Sequence, residues 1–329
     1  MSGLLRLGFA GVGWIGRHRM QALIDAGVAE AVAIVDTDSA CVEEATRIAS
    51  CARVCDSYEG LLEQPLDGVV IATPSAAHAE QSIAALRRGL PVFCQKPLGR
   101  DAREVACVVE AACAADRRLG VDLSYRHLAG MEQVRQLLRS GELGTIYAAQ
   151  ATFHNAYGPG KDWFYDRAQS GGGCVIDLGI HLVDLALWLL DGPGVEEVRG
   201  NCFVKGRPLR ESPDAVEDYA TATLRLSGGA VIDIACSWNL PVGVDAEISL
   251  RLYGTKGGVG LRNVEGSFYD FMLERFDGRQ RTILASPPDA WGGRAAVAWA
   301  QGLQASHAYD PEADTLVRLG EVLDRVYAG

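Results

Sequence analysis

The sequence predicts an α/β chain of two domains: a doubly wound parallel sheet, then an α+β unit with a large open, mainly antiparallel sheet. Three observations predict it. Short apolar runs alternate with helical patterns over the first third of the chain. A Gly-x-Gly-x-x-Gly turn stands between the first run and the first helical pattern. Beyond about Ser124 the β-like runs lengthen and follow one another directly. A length of 329 residues suits two domains, and the change of character divides them at 1–123 and 124–329.

Each element follows from its pattern. Leu4 to Ala10 is an apolar run, with a helical pattern after it as far as Ala26. Ala31 to Val35, Val69 to Ala72 and Val92 to Cys94 are further runs, and His78 to Arg88 has helical periodicity. Continuous apolar strands separated by helices belong to a parallel sheet buried on both faces. In the second half, Ala148 to His154, Asp218 to Leu226 and Ala230 to Trp238 read as strands. Ser227-Gly228-Gly229 joins the last two as a hairpin. Asn201 to Asp214 and Ala285 to Gly293, rich in Pro or Gly, are expected to be surface loops. Leu316, Leu319, Val322, Leu323 and Val326 close the chain as one face of an amphipathic helix.

Composition narrows the function. The chain is 48% hydrophobic and 22% charged, enough to bury a large core, and its net charge is -11. No basic cluster of the kind that binds nucleic acid is present; Arg6, Arg17, His18 and Arg19 make too small a group. No apolar run is expected to reach the roughly 18 residues of a membrane span, and the start of the chain reads as a strand rather than a signal peptide. Nine cysteines occur without zinc-type spacing or C-x-x-C. They are expected to be reduced thiols of a cytoplasmic protein, with no metal.

Gly11-Val12-Gly13-Trp14-Ile15-Gly16 follows a strand and opens a helix. Gly11 permits the tight turn, Gly13 lets the backbone approach a pyrophosphate, and Gly16 lets helix and strand pack closely. The helix N-terminus offers free N–H groups to the phosphates. Asp36 ends the next strand, twenty positions after Gly16. A carboxylate there accepts from a ribose 2′-hydroxyl and repels a 2′-phosphate, so the cofactor expected is NAD over NADP. The structural alternative is a plain glycine turn with Asp36 as a helix cap. Trp14 and Ile15 pack near the cofactor. Thr73 and Pro74 lie at the carboxyl edge of the sheet, where ligands bind. His78, one turn on, is either a supporting group or a solvated histidine.

Strand Val92 to Cys94 runs into Gln95-Lys96-Pro97, which aims Lys96 at the ligand crevice. Downstream, Gly171-Gly172-Gly173 precedes Asp177, His181 and Asp184, spaced i, i+4, i+7. On a helix this spacing puts three polar groups on one face. Histidine is the natural proton acceptor near neutral pH. Taken alone, an Asp-x-x-x-His pair is more often structural or metal-binding. The glycine run, the cofactor loop and Lys96 together favour catalysis.

With those motifs the chain resembles the glucose-fructose oxidoreductase / inositol dehydrogenase / rhizopine catabolism family, Gfo/Idh/MocA. The match also takes in Tyr125-Arg126 and Tyr253-Gly254-Thr255-Lys256-Gly257-Gly258, and so runs nearly the whole length. The resemblance implies a Rossmann domain followed by an open-faced sheet, a nicotinamide cofactor, and sugar or inositol substrates. Lys96, Asp177 and His181 match the family's catalytic positions, and Asp184 a frequent fourth residue. A cis Lys96–Pro97 bond and a dimer or tetramer through the open sheet are further implications. Gln95 departs from the usual Glu-Lys-Pro; it removes a charge beside Lys96, which by itself would lower the lysine's pKa.

Candidate substrate residues are Tyr125, Arg126, His154, Asn155, Lys161, Trp163 and Tyr165, with Asp177 and His181. Aromatics suit a sugar ring; Arg126 or Lys161 suits a carboxylate or phosphate. The function expected is an NAD-dependent dehydrogenase or ketoreductase of a sugar, cyclitol or derivative. Two alternatives stay open: a redox-neutral enzyme that retains NAD, and a non-catalytic NAD-binding regulator. The only partners expected besides substrate are copies of the chain itself.

Overall fold

The computed structural model describes residues 3–212 and 214–329. The chain divides into two compact units. One runs through Ser124 and also takes in Gly292–Arg318; the other comprises Tyr125–Trp291 and Leu319–Gly329. The stretch 292–318, counted above with the second half, thus groups with the first unit.

The first unit holds a six-stranded parallel sheet: β1 (Leu5–Ala10), β2 (Ala29–Val35), β3 (Arg53–Val54), β4 (Gly68–Ile71), β5 (Val92–Cys94) and β6 (Leu119–Val121), in the order β3-β2-β1-β4-β5-β6. The central strands β4 and β5 are buried at every position, because the sheet is covered on both faces. The order reverses between β1 and β4. That switch point is where ligands enter such sheets. The two-residue β3 and three-residue β6 are too short to carry a pattern and were not anticipated. The Arg294–Ala305 helix joins this core, with Trp299 packed 5.7 Å from Phe93.

The second unit holds nine strands: β7 (Ile146–Asn155), β8 (Val195–Val204), β9 (Arg207–Pro208), β10 (Tyr219–Leu226), β11 (Val231–Ser237), β12 (Ala246–Gly254), β13 (Gly258–Asn263), β14 (Phe271–Asp277) and β15 (Gln280–Ala285). Their order is β15-β14-β13-β12-β7-β11-β10-β8-β9, antiparallel except for the β7/β11 pair. The Ser227–Gly229 turn closes the β10/β11 hairpin as expected, with Gly229 at φ +83°. The expected loop at Asn201–Asp214 is corrected: β8 runs on to Val204, and β9 pairs back on it at the sheet edge. Pro208 is tolerated there because an edge strand has no further neighbour to bond. Pro213, within the same expected loop, lies outside the described residues.

One sheet face is packed under the helix Ile180–Leu189, whose Leu182, Leu185 and Leu189 are each buried. Each contributes on the order of 1.5–3 kcal/mol. The other face carries the alternate side chains Glu247, Arg251 and Tyr253. The helical run Arg167–Leu189 also corrects the expectation of no membrane-length segment. It is long and apolar enough by length and composition, and 83% of its apolar window is buried within the fold.

Candidate active site

In the first unit the glycine turn has the geometry its sequence implies. Gly11 sits at φ +80°, a conformation costly for any side chain. A Cβ there would lie 2.5 Å from the Ala72 carbonyl carbon. One on Gly16 would lie 2.0 Å from the Gly11 oxygen. The helix Trp14–Asp25 opens on Gly13 with no acidic residue in its first turn, so nothing negative competes at its positive end. Asp36 Oδ2 accepts from the Val12 N–H at 2.7 Å, and Oδ1 from Asp38 N–H at 3.0 Å. Asp36 is therefore fixed against the glycine turn; the cap of the next helix is Asp38, not Asp36. The guanidinium of nearby Arg17 is already divided between the Val12 carbonyl and Glu44. A bare backbone cradle beside a fixed carboxylate fits a dinucleotide.

Thr73 and Pro74 stand at the end of β4, with the Thr73 hydroxyl donating to Gln81 Oε1. Trp14 is 56% exposed and its ring packs near His18, while Ile15 is half-buried. His78 is 2% exposed, so it is not a solvated histidine. Its ring nitrogens lie 2.7 Å from the carbonyl oxygens of Pro97 and Thr73. It braces the ends of β4 and β5 from beneath and offers no free ring atom to a cofactor. Burial holds its pKa below the ordinary value. Lys96 follows β5, its bond to Pro97 is cis, and Gln95 and Lys96 are half-buried between wholly buried neighbours.

In the second unit the expected helix through Asp177 and His181 begins differently. Val175–Gly179 is a π turn that leads into the α-helix at Ile180. Simple i, i+4 stacking therefore does not hold across the pair, because a π turn carries more residues per turn. From Gly172 to Ala186, Asp177 and His181 alone are not buried. The His181 ring lies 5.0 Å from Tyr125 and 6.3 Å from Phe153. Asp177 Oδ2 accepts from Trp238 Nε1 at 3.1 Å. Burial, then the Asp177 charge, raises the pKa of Tyr125 and of Tyr165. Tyr165 packs edge-on to Trp238 at 5.6 Å, and Trp163 stacks on Phe164 at 3.8 Å.

Four candidates are placed otherwise. Asp184, 4% exposed, receives Arg126 in a two-pronged pair, Nε to Oδ2 at 2.9 Å and Nη2 to Oδ1 at 2.5 Å. Both residues are committed to structure. His154 alternates with Phe153 and Asn155, so it lies on the opposite sheet face from them and bonds Ser237 Oγ at 2.7 Å. Lys161 is exposed before the short helix Asp162–Tyr165. Asn155 keeps its place: its Oδ1 is buried without a hydrogen-bond partner.

Two residues here escaped the sequence reading. Trp238 is one, read from sequence as the last residue of a strand but standing just beyond β11. The other is Glu217, 1% exposed. Its carboxylate accepts from Gly173 N–H at 2.9 Å, Val175 N–H at 2.8 Å and the Tyr327 hydroxyl at 2.8 Å. It caps the segment that carries Asp177. Burial pushes its carboxyl up from the ordinary range, while the Val175, Tyr327 and Gly173 donors pull it back. The glycine run exists for this contact, since a Cβ on Gly173 would lie 1.9 Å from the Glu217 backbone oxygen.

Comparison with known proteins agrees with this geometry. Residues 5–123 match the profile of an oxidoreductase family with an NAD-binding Rossmann fold, and 131–260 that of the GFO/IDH/MocA C-terminal domain. The chain is 27% identical to inositol 2-dehydrogenase 4 of Saccharopolyspora erythraea over 317 residues, 89% of this chain and 90% of that protein. It is 28% identical to D-glucoside 3-dehydrogenase of Escherichia coli K12, spanning 63% of this chain and 62% of that one. Among solved structures, levoglucosan dehydrogenase with NADH and levoglucosan superposes with a TM-score of 0.82 at 20% identity, over 98% and 96% of the two chains. A 3-ketoreductase from Actinomadura kijaniata with NADP superposes at 0.84 and 21% identity, over 99% and 98%.

Glu217→Ala leaves two backbone donors and a tyrosine hydroxyl buried without an acceptor, at a cost of about 3 kcal/mol. Glu217→Gln should cost less, because one acceptor oxygen survives. Denaturant midpoints at neutral pH measure both. An Ala variant as stable as wild type would remove Glu217 from this role.

Proposed function

The chain belongs to the GFO/IDH/MocA oxidoreductase family, and on that footing we propose that it moves hydride between NAD and a hydroxyl-bearing carbon of a sugar or cyclitol. The observation that carries this reading is that Asp177 and His181 alone, from Gly172 to Ala186, are left partly exposed. Polar groups left reachable on a segment otherwise packed into a core are placed where they can meet a ligand.

The bound nicotinamide supplies the hydride acceptor in oxidation and the donor in reduction. This chain's own residues handle the proton and the charge. His181 takes the proton from the substrate hydroxyl, walled by the Tyr125 and Phe153 rings that keep bulk water from it. Asp177, anchored by Trp238, adds a fixed carboxylate to the same segment. Lys96 stabilises negative charge developing on the substrate oxygen. Asn155 Oδ1, a buried acceptor without a partner, suits a ring hydroxyl. Trp163 and Tyr165 offer ring faces to a sugar. Arg126 is held by Asp184 and so is not offered to a substrate carboxylate or phosphate.

NAD is favoured over NADP by Asp36, fixed at the glycine turn beside Asp38, and by the prior engagement of Arg17. The nine free cysteines suit a reducing, cytoplasmic setting. A homodimer or homotetramer through the uncovered sheet face is the expected assembly.

Three measurements test these readings. Asp36→Ala should weaken NADH binding about tenfold or more and narrow the NAD/NADP preference; a wild type that prefers NADP would refute the Asp36 argument. In a screen of sugars and cyclitols followed by NADH absorbance, His181→Ala and Lys96→Ala should each lower kcat by roughly 10²–10⁴. Full turnover by both would reduce the block to a binding role, and a wild type that turns substrate over without net NADH would favour a redox-neutral enzyme. Sedimentation at micromolar concentration should give a dimer or larger; a monomer contradicts the sheet-face assembly.

A further inference from the structure

The Gln95–Lys96–Pro97 turn is gripped by a buried polar knot that no part of the reaction uses. At its centre is Asp122, 1% exposed, just beyond β6. Its Oδ2 takes the Arg19 guanidinium, Nε at 2.5 Å, and also the side-chain amide of Gln95. Its Oδ1 takes the Ser124 hydroxyl. Its backbone N–H donates to Cys94 O at 2.9 Å, and Gln95 N–H donates to Ile71 O at 2.8 Å. Arg19 lies on the helix that the glycine turn opens, and is itself 7% exposed. One carboxylate therefore joins the cofactor helix to the strand end that carries Lys96.

The donor count at Asp122 explains why residue 95 is an amide. A carboxylate only accepts, and a glutamine can donate to it. A glutamate at the same place would set two carboxylates against one another beside a single guanidinium, which favours a shared proton.

We propose that Gln95 and Asp122 are a matched pair of positioning residues for Lys96, with Asp122 supplying the negative charge beside the turn and Gln95 the donor that locks the turn to it. The carboxylate at this site is that of Asp122, whose charge Arg19 balances. Gln95 thereby fixes the residue before Lys96, and His78 fixes the carbonyl of the residue after it. The lysine starts from an immobilised backbone, so less conformational freedom is lost when it engages substrate. The role given to Lys96 rests on the function proposed above; the Gln95–Asp122 pairing does not.

The groups that face Asp122 set the pH behaviour. They are Arg19 and His18 from the cofactor helix, Cys94 at the end of β5, Gln95 just beyond it, and Ser124. In Gln95→Glu, the new carboxylate and Asp122 share a proton, so one folded-state pKa rises above the usual carboxylate value. The native state then binds more protons than the unfolded chain, and stability is lost as pH rises through the raised value. Comparison with wild type at each pH cancels the contribution of His18.

The test is a swap: Gln95→Glu, Asp122→Asn, and Gln95→Glu/Asp122→Asn together. Denaturant midpoints and NADH affinity by tryptophan quenching are read from pH 5 to 8, with kcat on whichever sugar or cyclitol the screen identifies. Gln95→Glu should be near wild type at pH 5 and fall behind as pH rises, with kcat down roughly tenfold at pH 8. Asp122→Asn, which strands the buried Arg19, should be the least stable at every pH. The double variant restores one acid and one amide, and should recover midpoint and kcat to within about threefold of wild type, with a flat pH response. A double variant no better than the worse single, or a Gln95→Glu variant with wild-type midpoints at all pH values, overturns the pairing. If no sugar or cyclitol is turned over, the midpoints still decide the pairing, while the functional reading fails separately.

Discussion

A carboxylate buried away from water is tolerated only where donors surround it, and that constraint organises the reactive segment of each unit. In the first unit the carboxylate is Asp122, held by Arg19, Gln95 and Ser124. In the second it is Glu217, held by Gly173, Val175 and Tyr327. Neither could sit where it does without those partners. Among the partners, Gln95 belongs to the turn before Lys96, and Gly173 and Val175 to the segment before Asp177. Each site residue is thus displayed by a neighbouring backbone that is pinned, while its own side chain is left reachable.

Pinning also explains the backbone departures near these sites. The π turn at Val175–Gly179 places one extra residue in the turn that carries Asp177. Glycines 172 and 173 let that turn approach Tyr327 and Glu217 more closely than any side chain would allow. The cofactor turn has the same logic on a smaller scale, because the Gly11 backbone touches the end of β4. In both places glycine is required by what lies opposite it rather than by flexibility.

What could be read from the sequence was what local pattern encodes. The glycine turn, the buried runs of β1, β4 and β5, and the β10/β11 hairpin all follow from residues close in the chain. The spacing of Asp177, His181 and Asp184 was legible too, but not the π turn that breaks its stacking. Asp122 and Glu217 were not legible, because their partners lie as far as 103 and 110 residues away. Even Trp238, recognised as strand, gave no sign that its indole N–H meets Asp177. His154 is a different failure. Strand alternation already separates it from Asn155, and only adjacency in sequence made the two look like one cluster.

The trio Asp177, His181 and Asp184 shows how partners sort a motif into roles. By spacing alone the three are equivalent polar points on an apolar helix. Arg126 reaches Asp184 with both prongs, and Trp188 lies 5.7 Å from the guanidinium. That pair has 15% and 4% of its side-chain surface exposed, so charge is balanced internally and nothing remains for a ligand. Breaking it would leave a buried charge, a cost of a few kcal/mol. Asp184 therefore secures the helix to Arg126, just past the start of the second unit. Asp177 and His181 keep their exposed surface because the burial of their neighbours holds the helix without them. On the function proposed above, stability and proton transfer fall to different side chains of one segment, with the buried Arg126–Asp184 salt bridge serving the first.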